Sequence, residues 1–101
     1  MIVYNITIKI DPGIEKERTE WQKKENIPGI LSTGLFTDHK FFRLLEQDEK
    51  EGITYVIQYF TSSLENYKKY IEEFALFFRE NAFARWHNQF IAFCTVMKIV
   101  N

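Results

Sequence analysis

The sequence predicts an α+β fold with the element order β-α-β-β-α-β, in a single domain spanning residues 1–101. Three observations predict it. Apolar and polar residues alternate in four segments, as in strands with one buried face. Two other segments carry apolar residues at the three- and four-residue spacing of amphipathic helices. Asp-Pro-Gly, Ser-Thr-Gly and a charged run ending in glycine separate these segments, which makes each of them a distinct element.

The first half of the chain begins with strand one, Ile2–Ile10, whose alternate isoleucines and tyrosine form an apolar face. Asp11 is expected to cap helix one, with Pro12 in its first turn. Helix one is predicted over residues 12–26. One side of it carries Ile14, Arg18, Trp21 and Gln22. Because proline disfavours helical backbone in the residue before it, Pro28 predicts a kink or a short further turn.

Strands two and three are predicted to form a hairpin. Strand two is expected over residues 35–46 and carries charges on both faces, which is typical of an edge strand. The turn at residues 48–52 contains four charged residues and one glycine. Strand three, residues 52–60, is the clearest strand in the chain because β-branched and aromatic residues dominate it.

The last third of the chain adds a helix and a strand. Ser62 is predicted to cap helix two, with Glu65 at capping-box spacing, and the helix is expected to end near Trp86. Strand four is predicted over residues 89–100. This element order is that of a ferredoxin-like fold, a four-stranded antiparallel sheet with both helices on one face. Right-handed crossovers place strands one and three in the middle.

The two faces of the predicted sheet differ in polarity. We expect the most apolar sets to face the helices: Tyr4, Ile6, Ile8, Phe42, Leu44, Tyr55, Ile57, Tyr59, Ala92, Cys94 and Val96. The helix-free face then carries Val3, Asn5, Thr7, His39, Phe41, Arg43, Thr54, Val56, Gln58, Phe60, Phe93, Thr95 and Met97. Such a mixed face favours burial against a second copy, sheet against sheet. The sequence therefore predicts a homodimer of the dimeric α+β barrel type.

Composition excludes several classes of function. The formal net charge of −1 gives no case for nucleic acid as a partner. No signal peptide or membrane span is predicted, and the single cysteine, Cys94, fits a reducing compartment, so a cytoplasmic protein without membrane partners is expected. Two histidines and one cysteine at unrelated spacings predict no metal site. No phosphate-binding glycine loop is present, and no cofactor is expected.

Several segments carry a resemblance to a known family: MIVYNIT (residues 1–7), WQKK (21–24) with Ile27-Pro28, TGLFTD (33–38), KFFRLL (40–45) and YVIQY (55–59). Over essentially its whole length the chain resembles a family of short bacterial proteins known as domain-of-unknown-function family 4286. The resemblance implies no known activity.

More remotely, the chain resembles the dimeric α+β barrel superfamily, through its element order and Pro12-Gly13. Members include cofactor-independent quinol monooxygenases, proteins of the ethyl-tert-butyl-ether degradation type and muconolactone isomerases. Many of these monooxygenases carry a histidine on helix one. Here that helix has Trp21, Gln22 and Lys23 instead, so no catalytic residue is carried over.

Five residues are candidates for ligand binding: Asn5, Trp21, His39, Arg43 and Gln58. His39 is a possible acid or base with Arg43 holding an anion, or else the two form a polar pair at an edge strand. Asn5 and Gln58 line either a small polar cavity or a hydrogen-bonded interface. Trp21 either anchors helix one or lines a pocket between helix and sheet.

Three functions are compatible with these features. The leading hypothesis is a small homodimer that binds a small molecule or acts as an interaction module. The second is a cofactor-independent monooxygenase or isomerase with His39, Arg43 or Tyr55 near the substrate. The third is a metabolite-sensing regulatory domain. The enzyme hypothesis requires an enclosed pocket of roughly a few hundred Å³ with a titratable group directed into it.

Overall fold

A computed structural model describes all residues, 1–101. Its centre is a four-stranded antiparallel sheet with strand order β2-β3-β1-β4. The strands are β1 (Ile2–Ile10), β2 (Asp38–Arg43), β3 (Ile53–Thr61) and β4 (Phe90–Lys98). The helices pack on one face of the sheet, and β1 and β3 occupy its middle. The predicted ferredoxin-like α+β fold is therefore confirmed.

The first helical region is longer than predicted and contains an unusual turn. Helix α1 (Glu15–Trp21) continues through a π-helical segment (Gln22–Asn26) into α2 (Ile27–Leu31). The wide turn is closed by the Ile27 N–H, which donates to the Gln22 carbonyl five residues earlier. Pro28 lies in the first turn of α2, where its missing N–H costs little. The chain thus accommodates Pro28 with a widened turn, and the helix does not end at residue 26.

The second helical region is two helices, α3 (Leu64–Glu73) and α4 (Ala75–Trp86), although one was predicted. They meet at Phe74, whose φ of −127° is not helical. The predicted cap at Ser62 is wrong by one residue. Ser63 has extended backbone and its side chain accepts from the Asn66 N–H at 3.1 Å, so it is Ser63 that caps α3.

The main core lies between the sheet and the helices. Its aromatic members are Tyr4, Phe36, Tyr59 and Tyr70, and the aliphatic ones include Ile8, Ile30 and Ile57. A second, smaller cluster joins α1 to the end of α4 and consists of Trp21, Ala82 and Trp86. No helix in the structure combines the length and the apolar character that crossing a membrane requires.

Strand register confirms the predicted faces of three strands. Ile6 of β1 lies opposite Ile57 of β3 and Cys94 of β4, so these residues share the face that the helices cover. Asn5, opposite Gln58 and Thr95, lies on the helix-free face.

The predicted faces of β2 are wrong. His39, Phe41 and Arg43 lie opposite Tyr59, Ile57 and Tyr55, which places them on the helix side of the sheet. Phe42, predicted for the core, lies opposite Val56 on the helix-free face and is 45% exposed. Leu44, also predicted for the core, follows the same alternation, since its N–H donates to the Thr54 carbonyl.

The inversion of β2 has a local cause. The strand begins three residues later than predicted, and Phe41 and Phe42 are adjacent aromatics that suit a buried face equally well. Phe41 is the one that reaches the core, because it packs on Tyr55 with ring centres 5.3 Å apart. When the alternation is shifted by one residue, every side chain of the strand moves to the opposite face of the sheet.

Candidate functional site

A cavity of about 490 Å³ lies between the sheet and the helices. Its walls come from β1, β3 and β4 of the sheet and from α1, the π-helical segment, α2, α3 and α4. Twelve of the sixteen lining residues are hydrophobic. The lining residues whose side chains carry polar atoms are Tyr4, Arg18, Gln22, Asn26, Tyr70, Arg79 and Cys94. Ala92 and Cys94 are solvent-exposed, so the cavity opens beside β4.

Arg18 is the most unusual residue of the cavity wall. Its side chain is only 2% exposed, and the chain's four ion pairs do not include it. Its guanidinium carbon lies 4.7, 4.8 and 5.2 Å from the ring centres of Trp21, Phe90 and Trp86. Burial lowers the pKa of Arg18 to about 10, since desolvation disfavours the charged form. Three aromatic faces therefore hold a positive charge that no carboxylate neutralises.

Two amides extend this polar wall along the helix. Arg18 Nη1 donates to Gln22 Oε1 at 2.6 Å, and Asn26 Nδ2 donates to the same oxygen at 3.2 Å. Arg18 Nε, Gln22 Nε2 and Asn26 Oδ1 are buried and have no hydrogen-bond partner. The three residues are four positions apart, so the helix and its π-helical turn align them on one side, facing the sheet.

Tyrosine hydroxyls supply further polar atoms. Tyr59 Oη is buried without a hydrogen-bond partner, and burial raises its pKa, so the phenol stays neutral at neutral pH. Tyr4 Oη accepts from Arg79 Nη2 at 3.2 Å and donates to Cys94 Sγ at 3.4 Å. Burial also raises the pKa of Tyr4.

The charged residues that line the cavity are both arginines, Arg18 and Arg79. The lining contains no carboxylate and no histidine, the commonest general acids and bases of enzymes. The arrangement offers positive charge, hydrogen bonds and apolar contact area. It is suited to holding a molecule in place.

The candidates Asn5 and Gln58 lie on the opposite, helix-free face. Gln58 Nε2 donates to Asn5 Oδ1 at 3.3 Å, and Asn5 Nδ2 lies 3.5 Å from Thr7 Oγ1. They form a half-buried polar strip in the middle of that face. The structure does not bring them together with the other three candidates.

His39 and Arg43 lie on the helix side of β2, contrary to the predicted face, and neither lines the cavity. Arg43 Nη2 binds both carboxylate oxygens of Glu49, at 2.8 and 3.0 Å, in an exposed pair. Nearby, the Tyr55 hydroxyl donates to the Glu15 carboxylate. These contacts join the end of the hairpin and the start of α1 to the sheet.

Trp21 is buried against Trp86, with ring centres 5.1 Å apart, and it stacks on Arg18 without lining the cavity. Sequence reasoning placed Arg18 and Gln22 on the same helix side as Trp21 but did not single them out. The signal was present: the stripe expected to face the sheet contains two polar residues. Polar residues on a core-facing helix stripe indicate a binding site more strongly than polar residues on a mixed strand face do.

Comparison with known proteins identifies one family. The family model of a domain of unknown function, DUF4286, matches residues 1–100. The comparison with curated proteins gave no significant match.

Similar folds occur among solved structures. An EthD family protein from Bacillus halodurans has a TM-score of 0.72 and 11% identity, with 99% of this chain and 100% of that chain covered. A dimeric ferredoxin-like protein from an uncultured marine organism has a TM-score of 0.67 and 13% identity, with coverage of 99% and 95%. SnoaB, a cofactor-independent oxygenase from Streptomyces nogalater, has a TM-score of 0.64 and 10% identity, with coverage of 99% and 94%. At these identities the likeness is one of fold.

Proposed function

The chain belongs to the DUF4286 family, a domain of unknown function, and we propose that it binds a small, largely apolar molecule in the cavity between sheet and helices. The volume of about 490 Å³ is within the range of ligand pockets, and the mixture of mostly apolar wall with a few polar groups is typical of them. This location differs from the helix-free face on which the sequence suggested a ligand.

One observation carries the proposal. The chain has four buried side-chain polar atoms without a hydrogen-bond partner, and three of them belong to residues that line this cavity. The fourth, Tyr59 Oη, does not line the cavity and lies beside the Gln22 amide, which opposes the rise of its pKa. Buried polar atoms are almost always paired in folded proteins. Three unpaired polar atoms on residues of one cavity wall therefore support a site whose hydrogen bonds are completed by a bound molecule.

The test of the proposal uses the neutral fluorophore N-phenylnaphthylamine, whose emission rises when it enters an apolar site. Ala92 lines the cavity at its open side, so Ala92→Trp should fill it with little effect on the core. Ala84→Trp is the matched control, because Ala84 is exposed on α4 outside the cavity. We expect the wild type and Ala84→Trp to bind the fluorophore and Ala92→Trp to lose most of the binding. Equal emission from all three proteins would refute the proposal.

We further propose that the protein is a homodimer whose two helix-free faces pack together. Four large apolar side chains on that face are exposed by 41–65%: Phe42, Ile91, Phe93 and Met97. Burying such side chains contributes roughly 1.5–3 kcal/mol each before the cost of association. The dimeric ferredoxin-like protein of the same fold supports this assembly. A reducing cytoplasm suits the single unpaired thiol, Cys94.

A second candidate function is cofactor-independent oxygenase chemistry, as in the description of SnoaB. The observation in its favour is Tyr4, a neutral phenol on the cavity wall that accepts from Arg79 and whose single O–H, donated to Cys94 Sγ in the structure, would have to turn to a substrate oxygen. This candidate predicts oxygen uptake with aromatic hydroquinones that Tyr4→Phe lowers. His39→Ala should leave the uptake unchanged, since His39 lies outside the cavity. Absence of uptake in the wild type would eliminate it.

A further inference from the structure

Resting on the proposed cavity-binding function, we infer that the ligand is an organic acid, an apolar body whose carboxylate binds the buried guanidinium of Arg18 and the amide of Gln22. The inference concerns the chemical class of the ligand. It is independent of whether the molecule is turned over.

The first step is the missing counterion of Arg18. A fully buried charge is stable only when it is paired or well hydrogen-bonded. Arg18 is 2% exposed and makes one hydrogen bond, from Nη1 to Gln22 Oε1. No carboxylate of the chain lies within ion-pair distance of it, and no Asp or Glu lines the cavity.

The second step excludes an anion supplied by the protein itself. Tyr4 and Tyr70 line the cavity and Tyr59 lies beside Gln22, and burial raises the pKa of all three. At neutral pH they remain phenols and bring no negative charge. A bound anion is then the remaining way to neutralise Arg18.

The third step is geometric. The rings of Trp21, Phe90 and Trp86 surround the guanidinium, while Nη1 donates to Gln22. Nε is buried without a hydrogen-bond partner, and the bond from Nη1 is the one side-chain hydrogen bond that the guanidinium makes, so the Nε–Nη2 edge is unpaired. That edge presents two parallel N–H groups, the geometry that a carboxylate accepts in a bidentate pair.

The fourth step concerns the side-chain amides of Gln22 and Asn26, which lie beside Arg18. Gln22 Nε2 lies beside Tyr59 Oη and carries two N–H groups, so one of them is available for the same anion. Asn26 Oδ1, which is unpartnered, is an acceptor and matches a hydroxyl or N–H on the ligand. The apolar wall beyond them accommodates an aromatic or branched aliphatic body.

The experiment compares naphthoate with naphthamide, which have the same apolar body and differ in charge. Both compete with N-phenylnaphthylamine for the wild-type protein. We expect naphthoate to bind about tenfold more tightly or better, the effect of a hydrogen-bonded charge. Arg18→Met should abolish this preference. Arg85→Met is the matched control, because Arg85 stacks on the same two tryptophans from outside the cavity and should keep it.

Each outcome decides a different claim. Equal affinity of the wild type for naphthoate and naphthamide, with the fluorophore still bound, overturns the acid inference and leaves the cavity-binding function intact. Failure of all three compounds to bind overturns both. If Arg18→Met does not fold, the wild type alone decides: naphthoate, and not naphthamide, should shift the NMR signal of the protected arginine Nε–H. A signal that moves equally with both compounds contradicts the inference.

Discussion

Arg18 places a positive charge where the rest of the core is apolar. The lowering of its pKa from 12.5 to about 10 means that its surroundings disfavour the charge by roughly 3 kcal/mol. Contacts with three aromatic rings offset part of this cost. Residues that reduce stability in this way are commonly kept for function.

Arg18→Met should therefore raise the free energy of unfolding by about 1–2 kcal/mol at neutral pH, because an apolar side chain of similar length removes an uncompensated buried charge. Urea denaturation measures the change. The exposed Arg85→Met is the control and should change stability by about 0.5 kcal/mol at most. A substantial loss of stability confined to Arg18→Met would show that the aromatic contacts outweigh the desolvation of the charge.

Tyrosine ionisation should destabilise the protein at high pH. Burial, with the Glu15 hydrogen bond, raises the pKa of Tyr55 from 10 to about 12, and the pKa values of Tyr4, Tyr59 and Tyr70 are raised mainly by burial. Above about pH 10 the unfolded chain loses these protons while the folded chain retains them. The stability that Tyr55 contributes is complete below about pH 10 and is lost as the pH rises through about 12. The contributions of the three more deeply buried tyrosines are lost at higher pH.

The measurement is the absorbance of tyrosinate during an alkaline titration, followed together with circular dichroism. We expect most of the absorbance change to coincide with unfolding. Early ionisation of most of the five tyrosines in a protein that is still folded would contradict the burial described here.

For individual residues, the sequence predicted which side chains are structurally important better than it predicted where they lie in the fold. Trp21 was predicted either to anchor helix one or to line a pocket, and it is buried against Trp86. His39 and Arg43 were assigned to the wrong face because alternation alone does not state which face is buried. The polar atoms of the cavity come from residues that are far apart in the chain, such as Tyr4 and Arg79. Their meeting depends on how α4 lies over β1, which no local pattern encodes.

Helix and strand ends depend on single hydrogen bonds, and the predictions failed mainly there. The segment from Gln22–Asn26 illustrates why: a π-helical turn ahead of Pro28 lets the helix continue where proline would normally end it. Nothing in a periodic pattern distinguishes a widened turn from an ordinary one. The strong alternation of β1 and β3, in contrast, was sufficient to predict their extent closely.

The cap of α3 gives a test with a built-in control. Ser63→Ala removes the hydroxyl that accepts from the Asn66 N–H and should cost about 1 kcal/mol of stability. Ser62→Ala, one residue earlier and exposed, should have little effect. Thermal or urea unfolding of both variants measures the difference. A larger effect at Ser62 would restore the cap that the sequence predicted.

For the molecule as a whole, element order and the central position of β1 and β3 followed from hydrophobic pattern and crossover handedness. The cavity could not be predicted from these patterns, because its existence depends on the separation of α4 from β4. All of β4 after Phe90 is exposed, on the helix side as well as on the helix-free side. The dimer proposed above covers only the helix-free side.

Phe93→Asp should convert the proposed dimer to a monomer, because a charge buried in an apolar interface is costly. Light scattering on a size-exclusion column measures the mass, and circular dichroism checks that the fold is kept. Leu76→Asp, at a similarly exposed position on α4, is the control and should remain dimeric. A wild-type monomer at micromolar concentration, or a dimeric Phe93→Asp protein, would rule out pairing through this face.

The contact between Trp21 and Trp86 has an optical consequence. These are the only two tryptophans of the chain, and their rings meet edge to face at 5.1 Å. Indoles this close couple their electronic transitions, so the pair behaves as a single chiral chromophore. Arg18 lies against both rings. The protein therefore carries an intrinsic reporter beside its buried charge, one that needs no label.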